Sequence, residues 1–193
     1  MTAYAVPVVN SRDDVLRTAL TILRQYGLAD LSMRRVATEL DVRPSALYWH
    51  FTNKQALLTA MADTVLSGVL PRSDRMRWDR QLERLALDLR AALLAVTDGA
   101  ELVSISQASG LSSAAIGDHF VAAARRGGLS ARDATAVRTA VWQLVIGLTI
   151  EEQTRAQMAG IGALPPSDRE FDREFADGLA LILDGARHRL PAS

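Results

Sequence analysis

The chain has 193 residues, of which 49% are hydrophobic and 23% charged, so it has the composition of a protein with a substantial core, not that of a disordered chain. Its 22 basic residues balance its 22 acidic residues, so a surface that attracts nucleic acid must arise from local placement of charge. Cysteine is absent, which excludes disulfides, thiolate nucleophiles and cysteine-based zinc sites.

Neither the start nor the middle of the sequence predicts contact with a membrane. The first ten residues, MTAYAVPVVN, have no basic stretch and no apolar run long enough for export. The longest strongly apolar segment, residues 140–150, is too short to span a bilayer. We therefore expect a cytoplasmic protein with no membrane partner.

Apolar residues recur at helical spacing along almost the whole chain, and no segment alternates as a strand would, so the sequence predicts an all-α protein. Four hydroxyl residues precede an acidic or amide residue by three positions, which is the spacing of a capping box at a helix start. These pairs are Ser11 with Asp14, Thr52 with Gln55, Ser130 with Asp133 and Ser167 with Glu170. The predicted helices cover residues 12–26, 32–40, a short stretch from 44, then 54–70, 78–96, a short helix before 113, 114–126, 131–158 and 168–189.

Residues 32–51, SMRRVATELDVRPSALYWHF, have the layout of a helix-turn-helix. The first short helix ends in a tight break at residues 41–43, where Asp41 is a residue that tolerates left-handed backbone, and Pro44 opens the second short helix. So short a helix must be held by its neighbours, with one face on a core and the other free for a major groove. The packing face would carry Ala46, Leu47 and Phe51, and the opposite face Arg43, Ser45, Tyr48 and His50. A plain helical hairpin fits the same pattern.

The segment LDVRPSALYWHFTNKQALL resembles the signature of the tetracycline-repressor (TetR) family of bacterial regulators, in which a helix with L-Y-x-H-F precedes a lysine that opens the next helix. Here the match reads Leu47-Tyr48-Trp49-His50-Phe51, then Asn53-Lys54, and it covers about the first third of the chain. The resemblance implies a flexible arm over residues 1–10, a three-helix DNA-binding domain over 11–56 and a larger helical ligand-binding and dimerisation domain over 57–193. It also implies a repressor that binds a palindromic operator as a homodimer and is released by a small-molecule effector.

By the same resemblance, eight residues form the contact with double-stranded DNA, and Arg43, where the chain departs from the family, is a ninth candidate. Tyr48 and Lys54 would hold phosphates, Arg34 and residues 44–46 would face base edges, and Trp49 and His50 would lie at the groove or the backbone. Arginine, tyrosine and lysine have the donors that such contacts need. Lys54, the only lysine, lies near a helix N-terminus, which favours phosphate. The full set is Arg34, Arg43, Pro44, Ser45, Ala46, Tyr48, Trp49, His50 and Lys54.

Alternatives stay open at several of these positions. Arg43 stands at the N-cap, where the family often has Ser or Thr, so either water caps the helix or Arg43 itself reaches DNA. Core packing is the alternative for the two aromatic residues, more so for Trp49 than for Tyr48. For Arg34 and Arg35 the alternative is an ordinary solvated face, and Arg34 is the one to which we assign DNA contact.

Residues 98–157 resemble, more weakly, the regulatory domain of the tetracycline repressors, through DGAELV, ARRGGLS and GLTIEEQ. By that resemblance the helix over 131–158 and the last helix pack against their copies in a second subunit. The helix is apolar nearly all round over residues 140–150, so we expect both its faces to be covered. The adjacent acids Glu151 and Glu152 fit a paired-carboxylate site less well than a solvated face or an intersubunit contact.

The effector is predicted only by class. Leu70 and Val96, both apolar, are aligned with positions where the tetracycline repressors use histidines for a metal-bound drug, so we expect a largely apolar effector and no metal or other cofactor. The candidate ligand-binding residues, for each of which packing is the more common role, are Trp78, His119, Phe120, Trp142 and Gln143. The three histidines have no metal-ligand spacing, and no catalytic motif is present, so an enzyme is not expected. A helical ligand-binding protein without DNA activity is the alternative.

Overall fold

A computed structural model describes residues 11–73, 75–110, 115–165 and 169–190, and all regular structure within these ranges is α-helical, as predicted. The helices are α1 (Arg12–Tyr26), α2 (Met33–Glu39), α3 (Pro44–Leu47), α4 (Lys54–Leu66), α5 (Trp78–Leu94), α6 (Gly99–Ser109), α7 (Ile116–Arg126), α8 (Ala131–Gly160) and α9 (Phe171–Arg187). None of these described helices is both long enough and apolar enough to cross a membrane.

Two of the predicted helix starts are confirmed by their hydrogen bonds. The hydroxyl of Ser11 accepts a bond of 3.1 Å from the N–H of Asp14, whose carboxylate accepts one of 2.8 Å from the N–H of Ser11. The hydroxyl of Ser130 accepts from the N–H of Asp133 at 3.0 Å. All three bonds satisfy N–H groups that have no partner inside the helix.

The prediction of a capping box at Thr52 and Gln55 is wrong. Asn53 caps α4 instead, since its side-chain oxygen accepts from the N–H of Ala56 at 2.8 Å. Asn53 has extended backbone and lies directly before Lys54, whereas Thr52 is one residue farther from the free N–H groups. The fourth predicted pair includes Ser167, which lies outside the described residues, and α9 begins at Phe171.

The helix-turn-helix forms as the sequence predicts. Asp41 has a positive φ of 52°, which turns the chain between α2 and α3, and Pro44 is the first residue of α3. Leu47 and Phe51, one helical turn apart, are almost completely buried and hold the short α3 on the core. Ala46 is exposed, so its predicted packing role is wrong, because it lies on the outer side of this single-turn helix.

Helix α4 connects the two parts of the chain. It packs on α1 at one side and on α6 and α5 at the other, and it is buried nearly all round. It ends at Leu66, four residues before its predicted end at 70, where the N–H of Val69 bonds to the carbonyl of Leu66 and turns the chain. The predicted domain boundary at residue 56 therefore falls inside a continuous helix.

The helices α5 to α9 form a second region of the chain. Helix α8 is at its centre, where it packs on α5, α6, α7 and α9. Val141, Val145 and Ile146 are buried on its inner side. The prediction that both faces of this segment are covered does not hold within one chain, because Gln143 and Gly147 are exposed. The outer side of α8 is thus left open by the subunit's own helices.

Candidate nucleic-acid interface

The predicted DNA contacts lie on the surface of the helix-turn-helix. Eight of the nine are exposed, and His50 is half-buried. Trp49 is 90% exposed and Tyr48 50% exposed, so the core-packing alternative is wrong for both, and most clearly for Trp49. An indole ring held almost entirely in water is a large apolar surface available to a partner.

Three cations on this face are not neutralised by the part of the chain that the structure describes. In residues 11–73 and the other described ranges, Arg34, Arg43 and Lys54 have no carboxylate within 4.0 Å. Arg35 differs: its guanidinium lies 3.5 Å from the carboxylate of Asp30 and is stacked over the ring of Tyr26 at 4.1 Å. The structure therefore separates the two adjacent arginines, since Arg34 is open to solvent and Arg35 is engaged within the chain.

The start of α3 lacks a side-chain cap, because Arg43 has no oxygen to offer. Its carbonyl accepts from the N–H of Ala46 at 2.9 Å, which leaves the exposed guanidinium uninvolved in capping. At α4 the Asn53 cap fixes Lys54 as the first helical residue. The lysine charge therefore lies at the positive end of a 13-residue helix, where an anion is doubly favoured.

A contact that the sequence did not predict joins the end of α1 to the turn between α5 and α6. The N–H of Leu28 donates to Oδ2 of Asp98 at 2.7 Å, and the hydroxyl of Thr97 donates to the carbonyl of Arg24 at 3.0 Å. Gly27 has a φ of 79°, and a Cβ there would lie 2.8 Å from Oδ2 of Asp98. Asp98 itself has a left-handed φ of 54°, which turns the chain between α5 and α6.

Helix α8 holds the same turn from the other side. The side-chain amide of Gln157 donates to Oδ1 of Asp98. Gln153 donates to the carbonyls of Leu93 at 3.1 Å and Val96 at 2.8 Å, and its oxygen accepts from the N–H of Ala100 at 3.3 Å. The α5–α6 turn is thus clamped between α8 and the DNA-facing part of the chain.

Comparisons with known proteins agree with this architecture. Residues 15–61 match the family model of the bacterial regulatory proteins of the tetR family, and residues 70–164 match the tetracyclin repressor-like C-terminal domain. The tetracycline repressor protein class C of Escherichia coli is 33% identical over 183 residues, which cover 90% of this chain and 82% of that protein. The chain belongs to the TetR family. It is a helix-turn-helix transcriptional regulator, as the sequence resemblance implied.

Solved structures of other TetR-family regulators have the same fold. Mycobacterium smegmatis BioQ is 44% identical with a TM-score of 0.86, over 93% of this chain and 98% of that one. BioQ with its natural double-stranded DNA operator matches at 43% identity and a TM-score of 0.79, over 91% and 97% of the two chains. A single-residue variant of TetR from Acinetobacter baumannii AYE in complex with minocycline is 28% identical, with a TM-score of 0.76 over 94% and 99%.

The candidate ligand residues of this TetR-family regulator do not share one environment. Phe120 is completely buried and Trp142 nearly so, whereas Gln143 lies on the exposed side of α8. Trp78 is half-buried and packs so closely on Gly127 that a Cβ there would lie 2.3 Å from the indole. Their assignment to an effector site stays a prediction.

His119 lines a cleft of about 210 Å³ between the end of α4 and the start of α7. Leu66, Leu70 and Ile116 give this cleft an apolar wall, and Asp63 lies on it as well. Within the described ranges, no group of three or more histidine, aspartate or glutamate side chains is placed to hold a metal ion.

An open groove of about 390 Å³ lies between α8 and α9 on their outer sides. Its floor is made of small and apolar residues, and Leu181 on α9 is 75% exposed. The residues that give the groove this character are Ala136, Ala140, Leu181, Ile182 and Gly185.

The adjacent acids on α8 are engaged within the chain. Glu152 lies 2.6 Å from the guanidinium of the buried Arg90, and Glu151 pairs with Arg169. The paired-carboxylate alternative is therefore wrong, because each acid bonds to a different arginine.

A buried carboxylate joins the start of α5 to the end of α9. Asp79 is 1% exposed and accepts from Arg77 at 2.5 Å and from Arg187 at 2.8 Å. Burial acts to raise its pKa, but the hydrogen bonds from Arg77 and Arg187 and from the N–H of Arg80 outweigh it and lower the pKa to about 2. Asp79 is therefore ionised at neutral pH and serves as a tie between helices.

Proposed function

We propose that this regulator is a repressor that acts in the cytoplasm, binds a pseudo-palindromic operator as a homodimer and is released by a small, largely apolar effector. The observation that carries the proposal is the exposed face of the helix-turn-helix. It presents Arg34, Arg43 and Lys54 without carboxylate partners in the described structure, beside the exposed Tyr48 and Trp49. Such a face matches a polyanion.

The roles within this face follow from chemistry and position. Arg34 and residues 43–46 would enter the major groove, where an arginine fork matches a guanine edge and the methyl of Ala46 matches a thymine methyl. Lys54, at the first position of α4, and the hydroxyl of Tyr48 would hold phosphates. His50 and Trp49 would lie at the groove edge.

Dimerisation is supported by the open groove along α8 and α9. A helix with an exposed side of alanine and glycine lets another helix approach closely, and the exposed Leu181 offers an apolar anchor. Two subunits related by a twofold axis would present their recognition helices to successive major grooves. The BioQ complex with its operator supports DNA binding by this fold.

Effector control requires that ligand binding in the second region change the position of the helix-turn-helix. Two connections support it: α4 itself, which begins at Lys54, and the Asp98 turn that bonds to Leu28. In one conformation of the dimer the two recognition helices would be spaced wrongly for DNA. An effector that binds this conformation more tightly shifts the equilibrium away from the operator complex. The minocycline complex of a TetR-family neighbour supports the binding of a small-molecule ligand by this fold.

The proposal is tested by operator binding with the full chain. The DNA upstream of its own gene serves as the probe in gel-shift and fluorescence anisotropy titrations, with a scrambled duplex as the control. We expect one dimer per operator, a steep loss of affinity with salt, and release by members of an apolar and aromatic compound library. A monomer by light scattering at micromolar concentration, or equal affinity for the scrambled duplex, would contradict it.

A further inference from the structure

The start of α1 contacts the end of the helix-turn-helix through one arginine. The guanidinium carbon of Arg12 lies 4.7 Å from the centroid of the Phe51 ring. Phe51 is buried and precedes Lys54 by three residues, so this contact brings the first residue of α1 to the side of the domain where α4 begins. Arg12 is exposed, so its cation lies at the surface on the side of the domain to which Phe51 leads the chain into α4.

The charge of Arg12 is not neutralised by the described part of the chain, where no carboxylate lies within 4.0 Å of it. The nearby Asp14 already accepts from Ser11 and from Arg17, the latter at 3.0 Å. Because the guanidinium lies over a ring, its N–H donors at the edge stay available.

Arg35 shows what an engaged arginine looks like in the same domain. It also lies over an aromatic ring, that of Tyr26, but its guanidinium forms an ion pair with the carboxylate of Asp30 at 3.5 Å. Arg12 combines the ring contact with an uncompensated charge. A phosphate is the anion that fits two parallel N–H donors at such a site.

We propose that Arg12 is a further operator contact, which binds a backbone phosphate at the flank of each half-site, next to the phosphate held by Lys54. The inference rests on the proposed DNA-binding function. It adds to that function a contact from outside the helix-turn-helix, positioned by the ring of Phe51, which would lengthen the footprint on each half-site.

The test is the salt dependence of operator affinity. The variants R12Q and R12M remove the charge, and R12M keeps a long side chain over Phe51 in case R12Q is unstable. R17Q is the matched control, since Arg17 is on the same helix and its charge is paired with Asp14. We expect the slope of log affinity against log salt to fall by about two per dimer for the Arg12 variants, one phosphate for each subunit, and not to change for R17Q.

A wild-type slope in both Arg12 variants would overturn the inference, and so would a loss of affinity equal at all salt concentrations, which would indicate that Arg12 only covers Phe51. K54Q separates this failure from failure of the proposed function. If K54Q lowers the slope and the Arg12 variants do not, the operator function stands and the Arg12 contact falls. If the wild-type chain itself shows no salt-dependent operator binding, the proposed function falls as well.

Discussion

The DNA-facing region and the second region use their arginines in opposite ways. On the helix-turn-helix, Arg34, Arg43 and Lys54 are exposed and have no carboxylate partner in the described structure. In the second region several arginines are tied to acids of neighbouring turns and helices: Arg72 to Asp88, Arg90 to Glu152 and Asp172, Arg169 to Glu151 and Glu174, and Arg187 to Asp79.

This difference shows how a chain with no net charge can present a cationic face through local placement of charge. Acids of the second region are paired with its own arginines, and where such a charge is buried, as at Asp79, it requires a partner. An exposed cation on the DNA-facing region is solvated and needs none. The comparison predicts that charge removal costs binding in the first region and stability in the second.

The largest effect is expected for Arg34→Ala. Loss of a fork to a guanine edge costs about 1–3 kcal/mol per half-site, so a dimer loses about 2–6 kcal/mol of operator binding and relaxes its preference at one base pair. The thermal midpoint should not change. Anisotropy titrations against single-base operator variants measure both quantities, and Arg35→Ala, which removes an arginine already paired with Asp30, serves as the control. Equal losses for the two variants would break the distinction between them.

Asp79→Asn is expected to act on stability alone. The pKa of Asp79 falls from 3.8 to about 2 on folding, which corresponds to about 2–3 kcal/mol of unfolding free energy at neutral pH. Because the folded-state pKa is the lower one, this stabilisation is present above about pH 4 and is lost as the pH falls toward 2. Denaturant unfolding at a series of pH values should show a shallower acid loss in the variant.

Glu83→Gln is the control for Asp79, since Glu83 pairs with Arg80 on the surface of the same helix. Its removal should change stability little, because solvent screens exposed pairs. If the two variants lost equal stability, burial would not be what makes the Asp79 tie strong.

The tie between the two regions should be weakened by Asp98→Asn. A carboxylate accepts from Leu28 and Gln157 through separate oxygens. Asparagine has one oxygen and one NH2 group, so Gln157 must turn its own amide to accept from it, and both bonds lose the strength that the charge gives them. Asparagine tolerates the left-handed backbone, so the turn itself persists. We expect a loss of about 1–2 kcal/mol and faster hydrogen exchange at the Leu28 amide. Glu101→Gln, an exposed change in the first turn of α6, should have neither effect.

What the sequence predicted well was local. The capping box at Ser11, the hydroxyl cap at Ser130 and the turn at Asp41 depend on residues within four positions of one another, so their chemistry can be read directly. The exposure of the DNA face follows from the family resemblance. Residue type alone leaves open whether Trp49 is exposed or packed in the core.

The tertiary ties could not be read in this way. Leu28 and Asp98 meet across 70 positions, and nothing in their types specifies the meeting. The sequence does not show which side of α8 faces the core, because apolar residues occur on both sides of this helix. For the same reason the sequence places Gln143 with Trp142 in one candidate site, although only the indole of Trp142 is buried.

The smallest effect on stability is expected where the exposed surface is largest, at Trp49. With the side chain 90% exposed, Trp49→Phe removes almost no folded-state contact, and the unfolding free energy should stay within about 0.5 kcal/mol of wild type. Trp142 is buried and Trp78 half-buried, so operator DNA should change the emission of Trp49 most. Most of the operator-induced change should therefore vanish in the Trp49→Phe variant and persist in Trp78→Phe. A small remainder in Trp49→Phe would report the coupling to the second region that effector release requires, whereas a change as large as that of the wild type would contradict the placement of Trp49 at the DNA.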